Sequence, residues 1–89
     1  MRHRASLAFW RAYASLPLNI RRQADKQFVI LKDNPQHPSL RFKKIGERHG
    51  DVIWSARVSF SYRALALQRP DGYLWFWIGA HTAYDQRLS

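Results

Sequence analysis

The sequence predicts an α+β domain in which an N-terminal α-helical hairpin packs on one face of a four-stranded, mostly antiparallel β-sheet. Three observations lead to this prediction. Apolar residues recur at helical spacing up to residue 33, alternating and β-branched runs follow Pro38, and a Pro-Asp-Gly turn separates the last two runs. A chain of 89 residues suffices for one compact core, so we expect a single domain over residues 1–89.

The first helix is expected over about residues 5–14 and the second over about residues 18–33. Each contains apolar residues three or four positions apart, which places them on one helical face. They are Leu7, Trp10, Tyr13 and Ala14 in the first helix, and Ile20, Ala24, Phe28 and Leu31 in the second. Pro17 and Pro35 end the two runs, because the residue before a proline disfavours helical backbone angles.

Four strands are expected after the second helix. Their ranges are residues 40–43, 52–58, 62–68 and 73–78. Residues 46–50, with a glycine at each end, are expected to form an exposed loop. The sequence Pro70-Asp71-Gly72 predicts a turn, because proline presets φ, aspartate bonds to its own backbone and glycine accepts positive φ.

The charge balance indicates a polyanionic partner. The chain has 15 Lys and Arg against 6 Asp and Glu, a formal net charge of +9. Basic proteins are attracted to nucleic acid because neutralised phosphates release condensed counterions, although a basic surface can also serve solubility alone. No stretch approaches the roughly 20 apolar residues of a membrane span, so no membrane partner is expected. The absence of cysteine is typical of a cytoplasmic protein.

Cofactor chemistry is not expected from this sequence. His81 and Asp85 lie four residues apart, but the other histidines fall in unrelated segments without the spacing of metal ligands. A thiolate site is excluded because there is no cysteine, and no serine motif for nucleophilic catalysis is present. We therefore expect neither a metal nor an organic cofactor.

The segment SARVSFSYRAL, residues 55–65, predicts two arginines facing each other. With a three-residue turn centred on Phe60, one face carries core pairs. These are Val58 with Tyr62, Ala56 with Ala64, and Trp54 with Ala66. The other face sets Arg57 opposite Arg63, and like charges in this position cost up to about 1 kcal/mol. An anion such as a phosphate would relieve this repulsion; alternatively, a bulge shifts the register, or both arginines extend into water beside acidic neighbours.

The same alternation predicts which residues share the face of the two arginines. In the first strand, Leu40 and Phe42 point to the core, and Arg41 and Lys43 join the arginines. In the last strand, Leu74, Phe76 and Ile78 point to the core, and Tyr73, Trp75, Trp77 and His81 lie on the cationic face. Trp75 and Trp77 are then candidates for base stacking, although such residues are more often part of a core. His81, at the end of a strand, is a candidate general base.

The order of these segments resembles that of the RelE/ParE superfamily of toxins from bacterial type II toxin–antitoxin systems. The resemblance covers the helical hairpin and the segments NPQHPSLRFKKI, WSARVSFSYRALAL and WFWIGAHTAYD. Its most specific part is an Arg-Val strand end, a Tyr-Arg strand start, and a strand ending Ile-Gly-x-His with a tyrosine shortly after. This ending is similar to that of the RelE-like and HigB-like branch, whose toxins cut mRNA in the ribosomal A site.

The resemblance implies an mRNA endonuclease that works without a metal, and it implies roles for the matched residues. His81 would be the general base or acid, Arg57 the main stabiliser of the transition state, Lys43 a phosphate ligand and Tyr84 a positioning or stacking group. Further RNA or phosphate contacts would come from Arg63, Lys44, Arg41 and Trp77. No glycine follows the lysine here, so Lys43 and Lys44, expected on opposite faces, cannot be distinguished by sequence.

The resemblance also implies partners. A cognate antitoxin, acidic or amphipathic, would cover the basic surface, and mRNA and ribosomal RNA would be bound on the ribosome. Operator DNA is a further partner through the antitoxin complex. Two other functions stay open: a non-enzymatic toxin that inhibits a topoisomerase, as in the ParE branch, and a module that binds nucleic acid without cutting it. Replacement of His81 and Tyr84 would leave the toxicity of a topoisomerase inhibitor intact.

Overall fold

Two helices and a five-stranded mixed sheet make up the fold, and the computed structural model describes residues 2–82. The elements are β1 (Arg2–Ala5), α1 (Leu7–Ala14), α2 (Leu18–Asp33), a 3₁₀ turn (Pro38–Leu40), β2 (Lys43–Arg48), β3 (Asp51–Ser59), β4 (Tyr62–Arg69) and β5 (Gly72–Ala80). The spatial order of strands is β1-β5-β4-β3-β2, with β1 parallel to β5 and the other pairs antiparallel. The predicted α+β class is confirmed.

Both helices lie on one face of the sheet, α1 over β5 and α2 over β3. The side chain of Ser6 caps α1 by accepting a hydrogen bond from the Phe9 N–H. Between the helices, β4 presents the small buried residues Ala64 and Ala66. Large side chains from both sides line the space above them, among them Leu31 of α2. The predicted hairpin and its packing on one face of the sheet are confirmed.

The strand β1 was not predicted. Its sequence, Arg-His-Arg-Ala, has no apolar alternation, and it pairs with β5, which lies about 70 residues further along the chain. The carboxylate of Asp71 forms ion pairs with Arg2 at 3.8 Å and with Arg4 at 3.4 Å. Gly72 lets the two strands meet, since a Cβ there would overlap the Arg2 backbone. The edge strand is therefore determined by non-local contacts.

The strand β2 begins and ends later than predicted. Residues 38–40 form a 3₁₀ turn, after which Arg41 adopts a left-handed backbone with φ 44°. The strand then runs to Arg48, so residues 46–48, expected in a loop, pair with β3. Only His49 and Gly50 form the turn, both with positive φ. Pairing with β3 outweighs the unfavourable strand propensities of these charged residues and glycine.

A bulge in β5 changes the faces of several predicted residues. Between Trp75 and Trp77 the register with β4 shifts by one residue. As a result, Tyr73 and Trp75 lie in the helix-side core, where both are buried. The prediction that they share the cationic face is wrong, and so is the prediction that Leu74 and Phe76 belong to the helix-side core. After the bulge the predicted alternation holds: Trp77 faces away from the helices and Ile78 faces them.

His3 of β1 lies in an aromatic cluster. Its Nδ1 accepts a hydrogen bond from the Trp75 Nε1–H at 3.1 Å, and its ring stacks on Tyr73 with centroids 5.7 Å apart. The Phe28 ring meets it edge-on. Burial lowers the pKa of His3 below its ordinary value of 6.5, and the positive charges of the amino terminus and Lys32 lower it further. The neutral imidazole is thus the form that the fold stabilises.

This cluster predicts a loss of stability in mild acid. Because the pKa of His3 is lower in the folded state, the unfolded chain takes up the proton first as the pH falls below about 6.5. The free energy of unfolding should therefore decrease from pH 6.5 towards the folded-state pKa. Urea unfolding at a series of pH values would measure this. His3→Gln lacks the titrating ring and should flatten that part of the profile; an equal pH dependence in both proteins would contradict the prediction.

Candidate functional site

Arg57 and Arg63 are directly opposite each other on β3 and β4, as predicted. Both lie on the sheet face away from the helices, since the alternate positions are buried under α1 and α2. The predicted core pairs Ala56 with Ala64 and Trp54 with Ala66 are also confirmed. The turn itself differs, because a bulge after Arg57 makes Ser59, and not Val58, the partner of Tyr62. The bulge takes up the extra residue and leaves the arginine register unchanged.

Within residues 2–82, the guanidinium of Arg57 lacks a hydrogen-bond acceptor for one of its nitrogen atoms. Its Nε is buried and has no hydrogen-bond partner in the described part of the chain. A buried donor without an acceptor costs free energy, and a phosphate would reach the half-buried guanidinium through its other nitrogen atoms. On the outer side, the Cζ atom of Arg57 lies 5.9 Å from the centroid of the Phe60 ring. These features make Arg57 the strongest candidate anion ligand.

The backbone of Arg57 is anchored to the second helix. The Gln27 Nε2 donates to the Arg57 carbonyl at 2.9 Å and to the Ser39 carbonyl at 3.1 Å. Strand β2 begins opposite Ser55 and therefore does not reach the Arg57 carbonyl. Gln27 supplies the hydrogen bond that a neighbouring strand would otherwise make to this carbonyl. Gln27 was not predicted as a site residue. The sequence did contain a signal for it, because Gln27 is a polar residue at helical spacing from the apolar residues Ile20, Ala24 and Leu31.

Arg63 stabilises the β3–β4 turn. Its Nη1 donates to three backbone carbonyls, those of Ser59 at 2.7 Å, Tyr62 at 2.9 Å and Phe60 at 3.2 Å. Part of this guanidinium is therefore engaged with the backbone of the turn. Its positive charge still lies directly opposite Arg57 on the neighbouring strand, so the two arginines together make this end of the sheet electropositive.

The structure separates the two neighbouring lysines. Lys43 pairs with Ser55, which puts it on the face of Arg57 and one diagonal position away from it. Lys44 pairs with Trp54 on the opposite face, and its Nζ forms an ion pair with Glu47 at 3.1 Å. Arg41 precedes the strand in a left-handed conformation. The prediction that it continues the alternation of a strand is therefore wrong.

Trp77 lies on the same face as the two arginines. It pairs with Leu65, and its indole ring lies over Gly79, where a Cβ would come within 2.6 Å of the ring. Gly79 is in turn the cross-strand partner of Arg63. The absence of a side chain at Gly79 thus lets the indole lie along the strand towards the arginine pair. Gly79 was not predicted as a site residue.

His81 is held at the same end of the sheet. Its backbone N–H donates to the Ser61 carbonyl at 2.7 Å, which joins the end of β5 to the β3–β4 turn. Its side chain is exposed. Tyr84, the last of the predicted catalytic residues, lies outside the described residues. The fold thus gathers five of the predicted residues at one end of the sheet, which we call the cationic end, the first four of them on the outer face: Lys43, Arg57, Arg63, Trp77 and His81.

The opposite face of the sheet carries a different surface. A cavity of about 170 Å³ lies between α1, α2 and the sheet, and we call it the interhelix groove. Its walls are mainly apolar and include Phe9, Trp10, Phe28, Leu31 and Trp75. Trp10 and Phe28 are 53% and 41% exposed, which is unusual for aromatic side chains that line a cavity. The groove is therefore an open apolar surface on the helical side.

The described segment contains neither a cluster of metal-binding side chains nor a helix that could span a membrane. Within residues 2–82, no group of three or more His, Cys, Asp or Glu side chains is placed to hold a metal ion. Neither helix of this segment has the length and apolar character needed to cross a membrane.

The fold matches those of solved toxin structures. A RelE–RelB complex from Methanococcus jannaschii is 14% identical over 97% of this chain and 99% of its own, with a TM-score of 0.72. An archaeal RelE–RelB complex from Pyrococcus horikoshii is 17% identical over 89% and 92%, with a TM-score of 0.67. A copper-bound mutant toxin from Helicobacter pylori is 9% identical over 93% and 97%, with a TM-score of 0.62.

These comparisons define the fold class. The chain has the fold of the RelE-like toxins, and the predicted resemblance is confirmed at this level. Two of these three structures are toxins in complex with RelB antitoxins. No protein-family model matches the sequence, and no curated protein matches it either.

Proposed function

We propose that the protein is the toxin of a type II toxin–antitoxin system and that it cleaves mRNA in the ribosomal A site. The proposal rests on Arg57, which is half-buried and lies directly opposite Arg63. The Nε of Arg57 has no hydrogen-bond partner within residues 2–82. A phosphodiester bound by the other nitrogen atoms of this guanidinium would reduce the repulsion between the two cations. The RelE-like fold supports the same function.

The proposed reaction is the attack of a ribose 2′-oxygen on the neighbouring phosphorus. The 2′-oxygen bonds to phosphorus as its proton is removed, the bond to the 5′-oxygen breaks, and that oxygen takes up a proton. The products are a 2′,3′-cyclic phosphate and a 5′-hydroxyl. His81, anchored through its backbone to the β3–β4 turn, would transfer one of these protons. Tyr84 remains a candidate positioning group.

Arg57 and its neighbours would stabilise the charge that develops on the phosphorane oxygens. Arg57 provides a preorganised donor, because Gln27 anchors its backbone. Lys43 adds a positive charge from the adjacent strand, and Arg63 adds one from across the pair. Trp77 would stack on a base nearby. Lys44, on the other face and paired with Glu47, contributes less to this site than Lys43.

The proposal is tested with ribosomes that hold a defined mRNA codon in the A site. The purified protein should create new 5′ ends inside that codon, detected by primer extension, and should leave the same mRNA intact without ribosomes. Uncut RNA together with arrested growth would contradict the proposal and favour a topoisomerase inhibitor, which a supercoiling assay would then detect. Uncut RNA that is still bound would favour a nucleic-acid-binding module.

We also propose that a cognate antitoxin binds the protein through the interhelix groove. Exposed apolar surface of this kind marks protein interaction sites, because binding removes it from water. The net charge of +9 favours an antitoxin segment that is acidic around its apolar residues. Operator DNA would then be reached through the antitoxin complex. Because ribosomes are the proposed site of action, the protein would act in the cytoplasm.

The groove predicts a loss of antitoxin affinity in Trp10→Ala. A half-exposed tryptophan that becomes buried in an interface is a typical hot spot, and its removal should weaken binding by about 30-fold or more. Calorimetric titration with the cognate antitoxin would measure the effect. Leu18→Ala is the control, because Leu18 is also 53% exposed but does not line the groove. Equal affinities of the two variants would contradict this binding site.

A further inference from the structure

Phe60 stands at the tip of the β3–β4 turn and is 84% exposed, the largest exposed fraction among the exposed large apolar side chains of residues 2–82. Single exposed apolar residues are common on protein surfaces, so exposure alone assigns no role. Three further observations concern this ring: the turn that carries it is held firmly, Arg57 lies against it, and His81 is joined to the same turn.

The backbone that carries Phe60 is held by hydrogen bonds from two sides. The Arg63 Nη1 binds the carbonyls of residues 59, 60 and 62, and the His81 N–H binds the carbonyl of Ser61. Below the turn, Val58 is buried in the helix-side core. An exposed aromatic ring on a well-anchored backbone loses little conformational freedom when it binds a flat ligand.

The contact with Arg57 links the ring to the proposed phosphate site. The guanidinium carbon lies 5.9 Å from the ring centroid, within the range of a cation–π interaction. The ring nevertheless keeps most of its surface in water. A nucleotide held by Arg57 through its phosphate therefore has an aromatic platform immediately beside it.

We propose that Phe60 is a base-stacking residue that positions the RNA by stacking on a nucleobase next to the phosphate bound by Arg57. Every base has a π-face, so the contact would add affinity and fix which phosphate reaches Arg57, without requiring a particular sequence. The inference rests on the proposed function. The competing role for Phe60 is an apolar contact with a protein, which a leucine would preserve.

The test uses ribosomes that hold mRNA with a 2′-deoxy substitution at the attacking ribose, which prevents cleavage. 2-Aminopurine replaces each base of the A-site codon in turn, and its fluorescence is quenched when it stacks on an aromatic ring. Among the positions that the wild-type protein quenches, one should depend on Phe60 and not on Trp77. Phe60→Leu should lose this quenching and bind between about 5-fold and 150-fold more weakly, whereas Phe60→Trp should retain both.

Cleavable mRNA provides the second readout. Phe60→Leu should raise KM more than it lowers kcat, and Phe60→Trp should restore KM. Val29→Ala, at an exposed position on α2, is the control for an apolar truncation elsewhere on the surface. Thermal unfolding would show whether each variant is folded.

The outcomes separate the inference from the proposed function. If Phe60→Leu quenches and binds like the wild type, the stacking inference is wrong, whether or not the wild type cleaves. If Phe60→Leu loses quenching at one of the positions that the wild type quenches, but cleavable mRNA stays intact, the inference holds for RNA binding and the proposed cleavage is wrong. A leucine variant with the wild-type KM would likewise overturn the inference.

Discussion

Arg57→Ala is expected to lower the rate of A-site cleavage by about 10²- to 10³-fold, the effect of removing one preorganised donor from an oxyanion. The expectation follows from the environment of the guanidinium. Its Nε is buried and finds no acceptor in the described residues, while Gln27 holds its backbone in place. The guanidinium is therefore held in place before the substrate arrives, and the alanine variant would lose this stabilisation in the transition state.

Single-turnover cleavage on programmed ribosomes measures this rate without interference from product release. Arg22→Ala is the matched control, because Arg22 is exposed on α2, away from the cationic end, and its loss changes the net charge equally. Arg57→Lys keeps the charge but removes the planar donor group, so its rate should fall between those of the wild type and Arg57→Ala. A rate for Arg57→Ala within a few-fold of that of Arg22→Ala would contradict the proposed role.

Leu65→Ala is expected to lower the free energy of unfolding by about 2–5 kcal/mol. Leu65 has no exposed surface and lies in the centre of β4, on the face away from the helices, between Ser55 of β3 and Trp77 of β5. This face thus has a small core of its own beneath the cationic end. The alanine would leave a cavity there and remove the cross-strand contact with Trp77.

Urea unfolding with a fluorescence readout would measure this loss. Leu7→Ala makes the same chemical change at a position that is 65% exposed, so its effect should stay within about 0.5 kcal/mol. A loss below about 1 kcal/mol in Leu65→Ala would lie under the range measured for buried leucine truncations. It would show that the core on the outer face contributes little to stability.

The two candidate surfaces lie on opposite faces of one sheet. The cationic end faces away from the helices, whereas the interhelix groove lies beneath them. Substitutions that impair RNA cleavage and those that impair antitoxin binding should therefore form two groups that share Arg57, which also lines the groove. An antitoxin bound in the interhelix groove would contact this residue directly.

Much of the fold could be predicted because its signals are local. The spacing of apolar residues and the flanking prolines placed the second helix at residues 18–33, where the structure has α2. The pairing of Arg57 with Arg63 followed from alternation on either side of one turn. In both cases the decisive contacts join residues close together in the sequence, so periodicity and turn chemistry alone contain the information.

Only the tertiary structure decided how distant segments combine. It added β1 through a pairing with β5 about 70 residues away, and the β5 bulge moved Tyr73 and Trp75 into the helix-side core. It also distinguished Lys43 from Lys44 by the register of β2 on β3. Parallel pairing, bulges and edge register depend on packing between segments that the local pattern does not connect, and for this reason the amino-acid sequence alone left them undetermined.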